Sequence, residues 1–227
     1  KQKNRTGRTP KKKENLLNRL LQMISGVFAP VCYVLAAGGL LQGLLIILTM
    51  AVPSVTETGV YPVFNFISWT PFTFLPVLLA ISASKHFHCN PYIAAACCLA
   101  LVNPVWTEMA GKIAEGENIR FLFVNLTEIT YTSSVLPPLI LVALLSKLEK
   151  FLNKHLPELI RSLFTPLICL AALVPLTIVV IGPLIQWLSN GVAAGYNLLY
   201  QMAPPIAGAV VGGVWQVIVI FGIHWGM

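Results

Sequence analysis

The chain has 227 residues, 56% hydrophobic and only 10% charged, with a mean hydropathy of +0.78. That balance excludes a water-soluble globular domain and points to a membrane protein with several spans. The net charge of +7 resides in residues 1–19, which carry 8 Lys/Arg against Glu14, and the remaining Lys/Arg and Glu cancel; there is no Asp, which removes chemistry built on paired Asp or Asp-held magnesium.

Residues 1–19 contain no aromatic side chain, so a nucleic-acid surface, which interleaves basic and aromatic groups, is not indicated. A cytoplasmic segment drawn to anionic lipid fits better. The segment is too long and too polar for a signal sequence and reads as a linker from an upstream domain, with 20–227 as the membrane domain. Charge-free runs then mark the spans: Phe28–Val52, Val60–Ser84, Pro91–Thr107, Thr130–Ser146, Leu163–Trp187 and Pro204–His224. A bilayer crossing needs about twenty apolar residues. Pro137 and Pro138 should kink or delay the fourth run. Between the fourth and fifth, Lys147–Arg161 places Leu148, Phe151, Leu152, Leu156 and Ile160 at helical spacing, which predicts an amphipathic helix in the interface. Leu188–Met202 is polar but uncharged and reads as an exterior or re-entrant connection. The expected fold is therefore all-α, a polytopic transmembrane bundle of about six spans with one amphipathic interfacial helix. With a cytoplasmic N-terminus, cytoplasmic segments hold thirteen Lys/Arg and exterior segments two, Lys112 and Arg120.

The last 66 residues, Ser162–Met227, contain no Asp, Glu, Lys or Arg, yet include His224. A His in such a stretch is a functional-site candidate. Gln216 lies eight positions earlier, about 80° away on a helix, so both can face one cavity. Trp215 and Trp225 flank them, and a neutral polar cavity with aromatic platforms suits a sugar better than an ion. The residues alone leave a second reading open, a His bonded to a neighbouring carbonyl with the Trp residues as interfacial anchors. His86 and His88 lack a second ligand cluster, so no metal is expected. Five cysteines, mostly in apolar runs, read as small buried groups and not a disulfide framework. Glu128 can line a solute path or sit solvated at the membrane edge. Gly39/Gly43, Gly191/Gly195, Gly208/Gly212 and Gly222/Gly226 permit close helix approach, and Gly43 is the best candidate for a contact between subunits.

Several motifs in order resemble one family: Phe74–Leu78, Lys85–Pro91, Tyr131–Pro137, Leu148–Lys154, Thr165–Cys169, Val180–Pro183, and Gly212–Val217 leading to Phe221–Gly226. From about Leu20 onward the chain resembles the membrane (IIC) domain of bacterial sugar phosphotransferase permeases of the glucose superfamily, in the β-glucoside/sucrose/trehalose group. The resemblance implies import of a sugar across the bacterial cytoplasmic membrane and its delivery as a phosphate. The phosphoryl group would come from a cysteine on a IIB domain, itself charged by IIA, and no metal or organic cofactor is implied. It gives His224 the role of a sugar contact, with Gln216 as a second hydrogen-bonder and Trp225 as a stacking platform. Its partner Glu belongs to a later Gly-Ile-Thr-Glu motif that this chain does not contain. The His-Trp-Gly version at 224–226 favours a β-glucoside. The early spans form a dimer interface in the family, so a homodimer is expected. The chain reads as a piece cut at both ends, unable to transport alone. The competing readings are a secondary transporter unit, disfavoured because the later spans lack carboxylates, and a non-catalytic membrane scaffold or remnant.

Overall fold

The computed structural model describes residues 16–202, together with 208 and 212. Helix α1 (Leu16–Ala51) is followed by a 3₁₀ turn, Pro53–Glu57, and by α2 (Val60–Thr73) and α3 (Leu75–Phe87). Next come α4 (Pro91–Leu101), α5 (Pro104–Ala114) and a short antiparallel hairpin, β1 (Arg120–Phe121) with β2 (Val124–Asn125). Helix α6 (Leu136–His155) and α7 (Glu158–Leu176) follow, and a π-helical turn, Thr177–Ile181, joins α7 to α8 (Gly182–Met202).

Among the described residues, three helical stretches are long and apolar enough to cross a membrane: Ser25–Ala51, Pro91–Ala114 and Glu158–Leu198. The pair α2–α3, bent by 41°, makes a fourth. These correspond to the first, second, third and fifth charge-free runs, and the bundle is all-α apart from the hairpin. The fourth run differs. Its residues Thr130–Val135 are not helical, and α6 begins only at Leu136, with Pro137 and Pro138 in its first turn. Proline is tolerated there because those N–H groups have no intrahelical acceptor. The sixth run, apart from Gly208 and Gly212, lies outside the described residues.

Two further expectations change. Lys147–Arg161 is not a separate interfacial helix: Lys147–His155 prolongs α6 and Glu158–Arg161 opens α7. The break falls at Leu156 (φ −87, ψ 136), because the ring of Pro157 pushes the preceding residue out of the helical region. Leu188–Met202 is not a connection but continues α8. Its polar groups pair along the helix, Gln186 Nε2 donating to Asn190 Oδ1 at 3.0 Å and Tyr196 stacking on Tyr200.

The core lies where α3, α4 and α6 meet. Leu79, Ala80, Ala83, Ala94, Cys97, Cys98, Leu101, Leu141, Val142 and Leu145 are fully buried there. Cys97, Cys98 and Cys169 are buried free thiols, as small apolar core residues would be. Helix α1 packs on α2 at Gly38, where an added Cβ would meet the Ser68 carbonyl oxygen at 2.8 Å. Beside it Gln42, Asn65 and Ser68 form a polar interhelical cluster. The expected small-residue pair Gly39/Gly43 faces open space instead, so α1 touches its neighbour through the glycine that the Gly-xxx-Gly spacing passes over.

Candidate functional site

The motifs of the described region gather into two polar clusters at opposite ends of α3, whose 13 residues separate them by about 20 Å. The first brings together Phe74–Leu78, Tyr131–Pro137 and Val180–Pro183. Its origin is Pro76, which has no N–H to give the Phe72 carbonyl four residues earlier. Val77 and Leu78 both donate to Phe74 O, at 3.0 and 3.2 Å, which leaves the Thr73 carbonyl free as well. Ser133 supplies both missing donors: its hydroxyl reaches Phe72 O at 3.0 Å and its backbone N–H reaches Thr73 O at 3.3 Å. To do so Ser133 adopts a left-handed conformation, φ +59. Non-helical backbone inside a membrane protein survives only where such partners exist.

The same loop braces α5 and the π turn. Trp106 Nε1–H donates to Ile129 O at 2.9 Å, and the buried Tyr131 hydroxyl donates to Thr177 O at 3.3 Å. Pro175 and Pro183 bracket the π turn and each deletes a helix donor, which accounts for the departure from α-helical register. Gly182 is required by this contact, since a Cβ there would overlap the Tyr131 hydroxyl.

The second cluster brings together Lys85–Pro91, Leu148–Lys154 and Thr165–Cys169. Helix α3 ends at His88 in a left-handed cap, φ +55. Ser146 Oγ donates to Phe87 O at 2.7 Å, and Glu149 Oε2 accepts the Asn90 N–H at 2.8 Å. Asn90 Oδ1 in turn caps α4 by accepting from Tyr92 N at 2.9 Å. Lys85, Lys147, Lys150, Lys154 and Arg161 all belong to this end. The early part of α1 lies against it, because Ser82 Oγ donates to Val27 O at 2.6 Å. Lys112 and Arg120 belong to the other end, beyond Trp106.

His224, Gln216 and Trp225 lie outside the described residues. Glu128 is exposed in the loop before the first cluster. His86 and His88 are exposed, and among the described residues no three His, Cys or Glu side chains form a metal-holding group. The structure adds Ser133, Tyr131 and Gly182, which the sequence reading did not single out for a role. A signal for Ser133 is Pro76 inside an apolar run, whose missing N–H leaves the Phe72 carbonyl to find another donor.

Residues 25–227 match the family described as phosphotransferase system, EIIC. The chain belongs to this family. It is 40% identical over 95% of its length to the PTS system beta-glucoside-specific EIIBCA component of Dickeya chrysanthemi, covering 34% of that protein. It is 34% identical over 93% of its length to the sucrose-specific EIIBC component of Pasteurella multocida, covering 48% of that protein. The arbutin-, cellobiose- and salicin-specific EIIBC component of Escherichia coli is 27% identical over 90% of this chain and is covered to 42%. The chain thus spans about a third to a half of the curated relatives it matches. No solved structure matches. With its apolar helices, this EIIC chain is an integral membrane protein. At the basic end of the EIIC chain, burial and the adjacent Glu149 push the Cys89 thiol up to about 11. Cys89 is therefore a poor nucleophile at neutral pH.

Proposed function

We propose that this chain is the sugar-translocating membrane part of a phosphoenolpyruvate-dependent phosphotransferase permease that imports a β-glucoside or a related disaccharide. The observation that carries this reading is the EIIC family match over residues 25–227, with β-glucoside-specific relatives at 40% and 34% identity. The sugar is delivered as a phosphate, the phosphoryl group coming from a IIB cysteine charged by IIA. The EIIBCA names of the relatives support these partners.

The N-terminus faces the cytoplasm, as the gathering of basic residues at one end supports, and residues 1–19 lead from a IIB domain. His224 and Gln216 hydrogen-bond sugar hydroxyls and Trp225 stacks on the ring. Two copies pair through the open face of α1 that carries Gly39 and Gly43.

The test uses cells lacking their own β-glucoside permeases and making the full protein that contains this chain. Labelled arbutin should accumulate as its phosphate, and only when the general phosphocarrier proteins are present. His224→Ala should weaken sugar binding by about 1–3 kcal/mol by leaving a buried hydroxyl unpaired. Accumulation of unmodified sugar without phosphocarriers would establish a secondary transporter instead.

A further inference from the structure

We propose that the cleft between the end of α6 and the start of α7 binds the zwitterionic head group of a phosphoethanolamine lipid. The cleft measures about 260 Å³ and is lined by two carboxylates, Glu149 and Glu158, and one guanidinium, Arg161. Asn153, Ser162 and Thr165 add neutral polar groups. A free anion entering it would meet two carboxylates, and a free cation would meet the guanidinium. A ligand carrying both signs a few ångströms apart satisfies both.

The unused hydrogen-bonding capacity has the same polarity. Arg161 Nη2 donates to Leu156 O at 3.0 Å, closing the α6–α7 break. Its Nε–H is buried and has no partner among the described residues. Arg161 also lines the cleft, and a phosphate oxygen is the acceptor that a guanidinium fits best. Glu158 makes no ion pair among the described residues, and a primary ammonium brings three donors. A trimethylammonium brings none, so choline lipids lose this half of the recognition.

The surroundings are those of a lipid and not of a soluble ligand. Leu159, Leu163 and Leu167 sit four residues apart on α7 and are 94%, 70% and 55% exposed. They form an apolar stripe that starts beside the cleft and runs into the charge-free stretch of α7, where acyl chains would lie. Among the described residues no aromatic side chain lines the cleft, so a sugar finds no stacking platform among them. The proposal is independent of which sugar the protein carries.

The test offers dioleoyl phosphatidylethanolamine, phosphatidylcholine or phosphatidylglycerol to the purified, delipidated full protein and counts retained lipid by native mass spectrometry. Phosphatidylethanolamine should be retained about tenfold better than the other two, the scale of one charge-assisted hydrogen bond. Glu158→Gln, which disturbs none of the recorded hydrogen bonds, should abolish that preference. Arg161→Gln should weaken all three lipids, although it also loosens the tie to Leu156. Soluble phosphoethanolamine should compete only weakly, since it lacks the acyl chains. Equal retention of the three lipids, or a preference that survives in Glu158→Gln, overturns the proposal. Binding of soluble phosphoethanolamine without retention of the lipid overturns the lipid source.

Discussion

At one end of the bundle, Ser133 donates to a carbonyl left unpaired by a proline and Tyr131 adds a donor to the Thr177 carbonyl of the π turn; at the other, Glu149 and Asn90 hold a loop that water also reaches. Both ends join three stretches of chain that are distant in sequence. They differ in what replaces a lost bond. At the first, Tyr131 is buried and Thr177 fully so, and no solvent is at hand to replace the bond between them. At the second, Asn90, Lys85 and His88 are exposed, and water can take over. Equal numbers of hydrogen bonds at the two ends should therefore carry unequal stability, and substitutions can measure the inequality.

Gly182→Ala should have the largest effect. The added methyl overlaps the Tyr131 hydroxyl in a site with no room to give, and overpacking of this kind costs about 3 kcal/mol. Thermal unfolding in detergent reads the loss. The cost should fall by about 1–2 kcal/mol in a Tyr131→Phe background, because the worst clash is then gone. Strictly additive costs would mean that the two residues do not touch. Ser133→Ala comes next, at about 2 kcal/mol, since the Phe72 carbonyl is left unpaired. Ser133→Gly should cost about 1 kcal/mol less than Ser133→Ala, because glycine accepts the positive φ that alanine resists. If the two variants are equally stable, the left-handed backbone is not under strain.

The sequence shows these motifs without showing that they meet. Charge-free runs place α1, the third and fifth spans, and the extent of α2–α3, because hydrocarbon excludes charge along a crossing regardless of packing. Pairing between Phe74–Leu78 and Tyr131–Pro137 is a long-range fact that no local period encodes. Pro76 is the local trace of it, and Pro157 is the equivalent trace of the α6–α7 break that divides Lys147–Arg161. By polarity alone Leu188–Met202 resembles a connection, but Gln186 and Asn190, four apart, satisfy each other on a helix. The sugar contacts assigned to His224, Gln216 and Trp225 rest on motif resemblance and belong to residues outside those described.

At the basic end the effects should be smaller. Asn90→Ala removes the α4 cap and should cost about 1 kcal/mol. Glu149→Gln keeps an acceptor for the Asn90 N–H and loses only charge, so its cost should stay below about 1 kcal/mol and shrink further in high salt. A loss at either position as large as that of Ser133→Ala would erase the difference between the two ends.

Cys89 reports on the same loop without unfolding anything. Burial first, and the neighbouring Glu149 carboxylate second, raise its thiol to about 11. The thiolate is the reactive form, so at pH 8 only about one thiol in a thousand is ready to react. In a Cys32→Ser background, which removes the exposed cysteine, maleimide labelling of Cys89 should accelerate about tenfold per pH unit between pH 8 and 10. Glu149→Gln removes the second cause and should shift that profile toward lower pH. Ser146→Ala frees the Phe87 carbonyl and loosens the loop, which lets water in and weakens the first cause, so it should shift the profile the same way. A profile centred near the ordinary thiol value in the parent protein would mean that the loop stands open. The clamp of Ser146 and Glu149 would then not be what holds the ends of α3 and α4 against α6.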